Sequence, residues 1–290
     1  KRSVPNVAVV TDTTAYLPPD VLREHDIHLV SLYVNWDDRS ERELDMPNFD
    51  AFYERLRTAD PLPTTSQPSI GDFLEVWEPL LGDGRDIVSI HISAGISGTV
   101  EAARQATERL GEQGTRDRVT VVDSATTAGG LGFPAMAAAR AAAAGASMAE
   151  VADRARRARE DLKIWFALDT LEYVRRGGRI GAASAWLGSA LKIKPILTLE
   201  REVTPVERVR TSTRARARLM DFIEQRRNDG ADAWMVQHIQ RPEDAQWLAD
   251  EGEKIMGRPP LYVSEVGPVL GVHGGPGMLG LGSIPSSHLE

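Results

Sequence analysis

The chain has 290 residues, of which 42% are hydrophobic and 26% charged, as is typical of a globular protein with one large or two modest domains. The net charge of −8 argues against general nucleic-acid binding, which requires a basic face. The absence of cysteine excludes disulfides and favours a cytoplasmic location. No apolar run is long enough to predict a transmembrane segment, and the histidines show no metal-ligand spacing.

The first 159 residues alternate between short apolar runs and amphipathic segments. Strands are predicted at residues 7–10, 27–34, 87–92 and 119–122, and helices at residues 49–57, 70–81, 100–110, 130–144 and 147–160. Residues 64–69 are predicted to form a turn that leads into the helix at 70–81. This alternation predicts an α/β domain with a mainly parallel sheet and helices on both faces. Ligands bind such sheets at the carboxyl ends of the strands.

A second α/β domain is predicted over residues 160–266. Its strands are expected at residues 164–168, 196–199, 203–209, 234–239 and 261–266, and its helices at residues 183–191, 212–227 and 242–256. The glycine-rich segment 267–290 is predicted to return to the first domain, 1–159. The ligand site is expected at the strand ends of the first domain and between the two domains.

A hydroxyl-rich turn, here called the serine turn, joins the strand at 87–92 to the helix at 100–110. From Ser93 it runs Ser-Ala-Gly-Ile-Ser-Gly-Thr. A turn of this kind directs backbone N–H groups, and the positive end of the helix dipole, toward a ligand. It therefore predicts a site for a small anion, and the residues alone leave a phosphate and a carboxylate equally open.

Other motifs leave an enzyme open as an alternative. The glycines at 275, 277 and 280 match a dinucleotide fingerprint, but too few residues follow for the required βαβ unit. A hydrolase or transferase would use Ser93 or Ser97 with His273. Asp123 lies between the serines and His273 in the sequence, which is the order serine, acid, histidine of hydrolases with a nucleophile elbow. His273 is surrounded by glycines, which indicates either ligand approach or a tight turn.

Ordered motifs across nearly the full chain resemble the DegV family. They begin at Val10, Thr65, Ile92, Val122, Leu171, Lys194, Arg210 and Gly267. The resemblance implies a two-domain α/β protein that binds a long-chain fatty acid in an apolar tunnel and needs no cofactor or metal. It also implies that a separate kinase phosphorylates the bound acid for phospholipid synthesis, so that the protein itself is not an enzyme. A transient membrane contact is compatible with this role.

The resemblance also implies particular residues. The carboxylate is expected to meet Thr65 and Ser93, the backbone of the turn at Ala94, Ser97 and Gly98, and His273. From position and residue type, the acyl tunnel is predicted to be lined by Ile96, Leu131, Phe133, Phe166, Leu187 and Leu191. The kinase is expected to dock on Arg176, Arg179 and Arg210.

This sequence departs from the family at two positions. Ala94 and Gly274 stand where a serine and a threonine are common, so two hydroxyls near the expected head group are missing. Ser93 is then the expected side-chain contact in its turn, and replacing it is predicted to weaken binding more than replacing Ser97.

Overall fold

The computed structural model describes residues 4–188 and 192–290. Its strands are β1 (Val7–Asp12), β2 (Ile27–Val30), β3 (Tyr33–Trp36), β4 (Arg39–Arg42), β5 (Thr64–Ser66), β6 (Asp86–His91), β7 (Val119–Asp123), β8 (Lys163–Ala167), β9 (Lys194–Glu200), β10 (Glu202–Val209), β11 (Ala233–His238), β12 (Val263–Glu265) and β13 (Leu279–Ile284). Its α-helices are α1 (Pro19–His25), α2 (Asp50–Leu56), α3 (Ile70–Gly82), α4 (Thr99–Gly111), α5 (Ala128–Ala143), α6 (Met148–Asp161), α7 (Glu172–Arg176), α8 (Ser212–Asn228), α9 (Pro242–Met256) and α10 (Pro268–Gly274).

The N-terminal sheet has four parallel strands in the order β2-β1-β6-β7. Helices α3 and α4 pack on one face, and α5 and α6 pack on the other. The predicted parallel sheet with helices on both faces is thereby confirmed. The order in which successive strands are added to the sheet changes direction between β1 and β6. Open α/β sheets bind ligands at such a point.

The second sheet has six strands in the order β10-β9-β8-β13-β11-β12. Strand β13 lies at its centre and pairs antiparallel with both β8 and β11. The prediction that segment 267–290 returns to the first domain is therefore wrong for β13, which belongs to the six-stranded sheet. The Leu279-Gly280-Leu281-Gly282 stretch alternates with the period of a strand, but glycine weakens strands and carries no side chain to pack, so the sequence signal for β13 is weak.

Three further local predictions are corrected. The predicted single strand at 27–34 divides into β2 and β3, and β3 belongs to a separate antiparallel sheet of order β4-β3-β5. Residues 64–66, predicted as a turn, form the edge strand β5 of that sheet. The helix predicted at 183–191 is a 3-10 segment, Gly181–Trp186, over the part that is described.

Helix α5 lies between the two large sheets, and its residues are buried except Ala128, Arg140 and Ala143. Its alanines and glycines allow this close approach. A Cβ atom at Gly129 would lie 1.9 Å from Cε of Met235, and one at Gly130 would lie 2.3 Å from Oγ1 of Thr126. Small side chains therefore decide how near the six-stranded sheet sits to the helix.

No helix in the described ranges, 4–188 and 192–290, has the length and hydropathy to cross a bilayer.

Candidate functional site

An apolar cavity lies against one face of the six-stranded sheet. Its empty space, counted together with the open mouth, is about 1030 Å³. The start of α5, helix α10, strand β5 and the serine turn complete its walls. Its apolar lining includes Leu32, Ile92, Ile96, Ile164, Phe166, Leu168, Val174, Leu199, Val203, Met235, Val266, Val269, Leu270 and Met278.

One end of the cavity is polar. Thr65, Ser97, Gly98, Arg179 and His273 all contribute to the lining there. Thr65 Oγ1 and His273 Nε2 are 3.2 Å apart and share a hydrogen bond. The structure therefore brings together Thr65 on β5 and His273 on α10, two predicted site residues that are far apart in sequence.

His273 is partly buried, in surroundings that keep its imidazole neutral. Burial, and secondarily the positive charge of Arg179, lower the pKa of His273 to about 4. Its Nδ1 atom is buried without a hydrogen-bond partner. A Cβ atom at Gly177 would lie 2.2 Å from Nδ1, so the glycine of the Arg-Arg-Gly-Gly-Arg turn makes room for the ring.

The serine turn uses several of its polar groups internally. The Ser93 hydroxyl donates to the Arg201 carbonyl at 2.7 Å and accepts from the Gly95 N–H at 3.1 Å. The Ala94 N–H donates to the Asp123 carboxylate at 3.2 Å. Neither Ser93 nor Ala94 lines the cavity. In this structure the Ser93 hydroxyl joins the turn to the β9–β10 hairpin, and its contact with a carboxylate stays a prediction.

Ser97 and Gly98 are the residues of the turn that face the cavity end. The Ser97 hydroxyl is 2.8 Å from the Thr99 hydroxyl and accepts from the Thr99 N–H at 3.2 Å. Among the described residues, no acceptor is bonded to the Gly98 N–H, which lies just before helix α4. Within the turn, the backbone donor left without an acceptor therefore lies at its last residues, beside the start of α4.

The predicted acyl-tunnel residues have four different outcomes. Ile96 and Phe166 line the cavity. Leu131 and Phe133 are fully buried in the packing of α5 and do not line it, whereas Leu187 is 44% exposed. Leu191 lies outside the described residues. Residue type identified apolar positions, but only tertiary packing separates a cavity wall from a filled core.

A groove lies directly outside the polar end of the cavity. It is lined by residues 60–65 and by Arg176, Gly177, Arg179 and His273, and its empty space, open solvent included, is about 820 Å³. Thr65, Arg179 and His273 line both the groove and the cavity. The Arg176 guanidinium lies 3.2 Å from the Asp60 carboxylate across the groove. Arg210 is exposed at the end of β10 and lines neither space.

Sequence reasoning missed the anchor of helix α10. The buried Glu43 carboxylate accepts hydrogen bonds through Oε2 from the Tyr16 hydroxyl at 2.7 Å and the Val269 N–H at 2.8 Å. Burial raises the pKa of Glu43 to about 7. Nothing local distinguishes this glutamate from the charged residues around it, because its partners come from residues 16 and 269.

The alternative hydrolase arrangement of Ser93 or Ser97 with Asp123 and His273 is not brought together in the described structure. His273 contacts Thr65 rather than a serine, and its Nδ1 has no acid partner. The Asp123 carboxylate is occupied by the amides of the serine turn and of Ala125. His91 is fully buried beside Asp12 and Ser89, as expected for a histidine in a central strand. Within the described residues, no group of three or more acidic or histidine side chains is arranged to hold a metal ion.

Comparison with known proteins adds a family and a fold match. The family model described as "Uncharacterised protein, DegV family" matches residues 6–286. A DegV domain-containing protein of Streptomyces coelicolor is 40% identical over 279 residues, covering 95% of this chain and 97% of the relative. Protein DegV of Bacillus subtilis is 34% identical over 281 residues, covering 95% of this chain and 98% of the relative.

Two solved structures of similar proteins carry the same architecture. One, a DegV family protein from Thermus thermophilus described in terms of fatty acid binding, matches with a TM-score of 0.85 at 33% identity, covering 96% of this chain and 99% of that one. The crystal structure of DegV from Bacillus subtilis, described as a fatty acid binding protein, matches with a TM-score of 0.85 at 32% identity, covering 97% and 100%.

Proposed function

The chain belongs to the DegV family, and we propose that it binds a long-chain fatty acid, with the acyl chain in the apolar cavity and the carboxylate at the polar end. The observation that carries this proposal is the pairing of an apolar cavity with one polar end. The described binding of fatty acids by the two structural relatives supports it. Each methylene group transferred from water into such a cavity contributes about 0.8 kcal/mol.

The polar end suits a carboxylate because it offers donors and one positive charge. An orphaned buried N–H is costlier than an orphaned acceptor, so the unpartnered Nδ1 of His273 favours the tautomer with its proton on Nε2. His273 then donates to Thr65, and the Thr65 hydroxyl is free to donate to the carboxylate. The Gly98 N–H and the Arg179 guanidinium supply further attraction.

The first experiment identifies the bound molecule. Purified protein is extracted with organic solvent, and the extract is analysed by mass spectrometry. We expect a fatty acid in a molar amount close to that of the protein. Recovery of a phosphate ester instead would favour a phosphorylated metabolite, and no lipid together with no uptake of added oleate would refute the proposal.

The second experiment tests the carboxylate contacts. We expect Thr65→Val to weaken oleate binding by the delipidated protein by about tenfold, because it removes one charge-assisted hydrogen bond. Thr64→Val is the matched control, since Thr64 is exposed on the same strand and lies in the groove rather than the cavity. Equal binding by the two variants would contradict the assignment.

We further propose that the bound acid is presented through the groove to a separate cytoplasmic kinase that forms an acyl phosphate for phospholipid synthesis. The groove supports this role because it reaches the same three residues that close the polar end of the cavity. The protein then needs no cofactor and no catalysis of its own.

Charge reversal in the groove tests the partner. Arg176→Glu is expected to retain oleate binding and to reduce acyl-phosphate formation by the cognate kinase at least tenfold. Arg175→Glu is the control, because Arg175 is exposed, pairs with Glu172 and does not line the groove. Unimpaired turnover with Arg176→Glu would remove the docking role of this arginine.

A further inference from the structure

Strand β13 places two glycines on the cavity side of the six-stranded sheet. Side chains alternate along a strand, and Leu279 and Leu281 pack on the opposite face with helices α8 and α9. Gly280 and Gly282 therefore point toward the cavity side. A central strand without side chains on one face leaves space that the neighbouring strands must either fill or leave open.

The two glycines differ in how that space is used. A Cβ atom at Gly282 would lie 2.7 Å from Cε of Met235 and 2.8 Å from Cγ2 of Ile164, so these two side chains already cover it. A Cβ atom at Gly280 would have no neighbour closer than 3.7 Å, and Gly280 lines the cavity. At Gly280 the cavity extends to the backbone of the sheet.

Gly280 lies partway along the cavity. Its cross-strand neighbours are Phe166 and Gln237, which also line the space. Toward His273 the wall is formed by Leu168 and Met278, which surround Gly274 on α10. On the other side of Gly280, about 7 Å further along the strands, the wall is formed by the row that holds Ile164 and Met235.

We propose that the missing side chain at Gly280 sets the length of acyl chain that the cavity accepts, by keeping the far part of the cavity open to a chain whose carboxylate is at His273. This inference rests on the proposed binding of a fatty acid. A large side chain at position 280 projects between the near and far walls, and a long chain then loses its contacts with the far wall. A chain short enough to end before Gly280 keeps all of its contacts.

Competition among chain lengths tests this inference. Delipidated protein is incubated with an equimolar mixture of saturated fatty acids of twelve to eighteen carbons, and the bound fraction is quantified by mass spectrometry. We expect Gly280→Leu to lower the bound ratio of the eighteen-carbon to the twelve-carbon acid at least tenfold, which corresponds to the exclusion of about two methylene groups. Gly280→Ala, whose methyl group makes only ordinary contacts, is expected to shift the ratio in the same direction by a smaller factor.

Gly82→Leu is the matched control, because Gly82 is exposed at the end of α3 and a Cβ atom there meets nothing within 4 Å. It should retain the profile of the unmodified protein. Circular dichroism checks that both Gly280 variants are folded. If the unmodified protein binds these acids and the two folded variants show the same chain-length profile as the unmodified protein, the role of Gly280 is refuted while fatty-acid binding stands. If the unmodified protein binds none of them, the proposed function itself fails.

Discussion

Glu43 gives a quantitative prediction, because a buried carboxyl anchors the helix that carries His273. Burial raises the pKa of Glu43 from 4.5 to about 7, a difference worth about 3 kcal/mol. A raised pKa in the folded state means that folding favours the protonated form. The stabilisation is therefore fully present below about pH 4.5 and is lost as the pH rises toward and through 7.

The variant Glu43→Gln replaces the titrating group with a permanently neutral one. Its amide oxygen can accept from the Tyr16 hydroxyl and the Val269 N–H, as Oε2 does, and its NH₂ takes the place of Oε1, which has no partner. Relative to the unmodified protein, we expect the free energy of unfolding of the variant to increase by about 2–3 kcal/mol between pH 5 and pH 8.

Urea denaturation at several pH values measures this difference. His273 has a lowered pKa, so its own contribution is lost as the pH falls from 6.5 through about 4. That contribution is common to both proteins and cancels in the comparison. Glu41→Gln, on the exposed strand β4, controls for the change in net charge. Parallel stability curves for Glu43→Gln and the unmodified protein between pH 5 and pH 8 would refute the reasoning.

Two further predictions concern the serine turn and the glycine that faces His273. Ser93→Ala should lower the free energy of unfolding by about 1–3 kcal/mol in urea denaturation, because the hydrogen bonds of its hydroxyl to Arg201 and Gly95 are lost. Ser97→Ala should instead weaken oleate binding in a titration, because Ser97 lines the cavity. Weaker binding by Ser93→Ala with unchanged binding by Ser97→Ala would contradict this and favour Ser93 as the ligand contact. Gly177→Ala should displace the His273 ring and weaken oleate binding at least tenfold. Gly178→Ala is the control, because a Cβ atom at Gly178 meets nothing within 4 Å; its φ of +71° means that this variant should affect stability alone. Equal losses of binding in the two variants would contradict this role of Gly177.

The sequence determined much of the fold through local patterning. Apolar runs alternating with amphipathic segments predicted the parallel sheet and its flanking helices, because burial on both faces leaves a continuous apolar signature. The serine turn and the glycine-flanked His273 were also recognised locally, because strand ends, helix starts and glycines are each marked by residue type. Thr65 and His273 were expected near one ligand and lie 3.2 Å apart between Oγ1 and Nε2.

Tertiary structure decided which of the marked residues face the ligand space. Ser93 and Ser97 are equivalent by residue type, but only the Ser93 hydroxyl meets the Arg201 carbonyl, which lies 108 positions away in the chain. Likewise, Leu131 and Phe166 are both apolar and both pack in the same core cluster, yet only Phe166 borders the cavity. A sequence records which residues prefer burial or hydrogen bonding. Their partners are fixed only when distant segments pack, since a cavity is the space that such packing leaves unfilled.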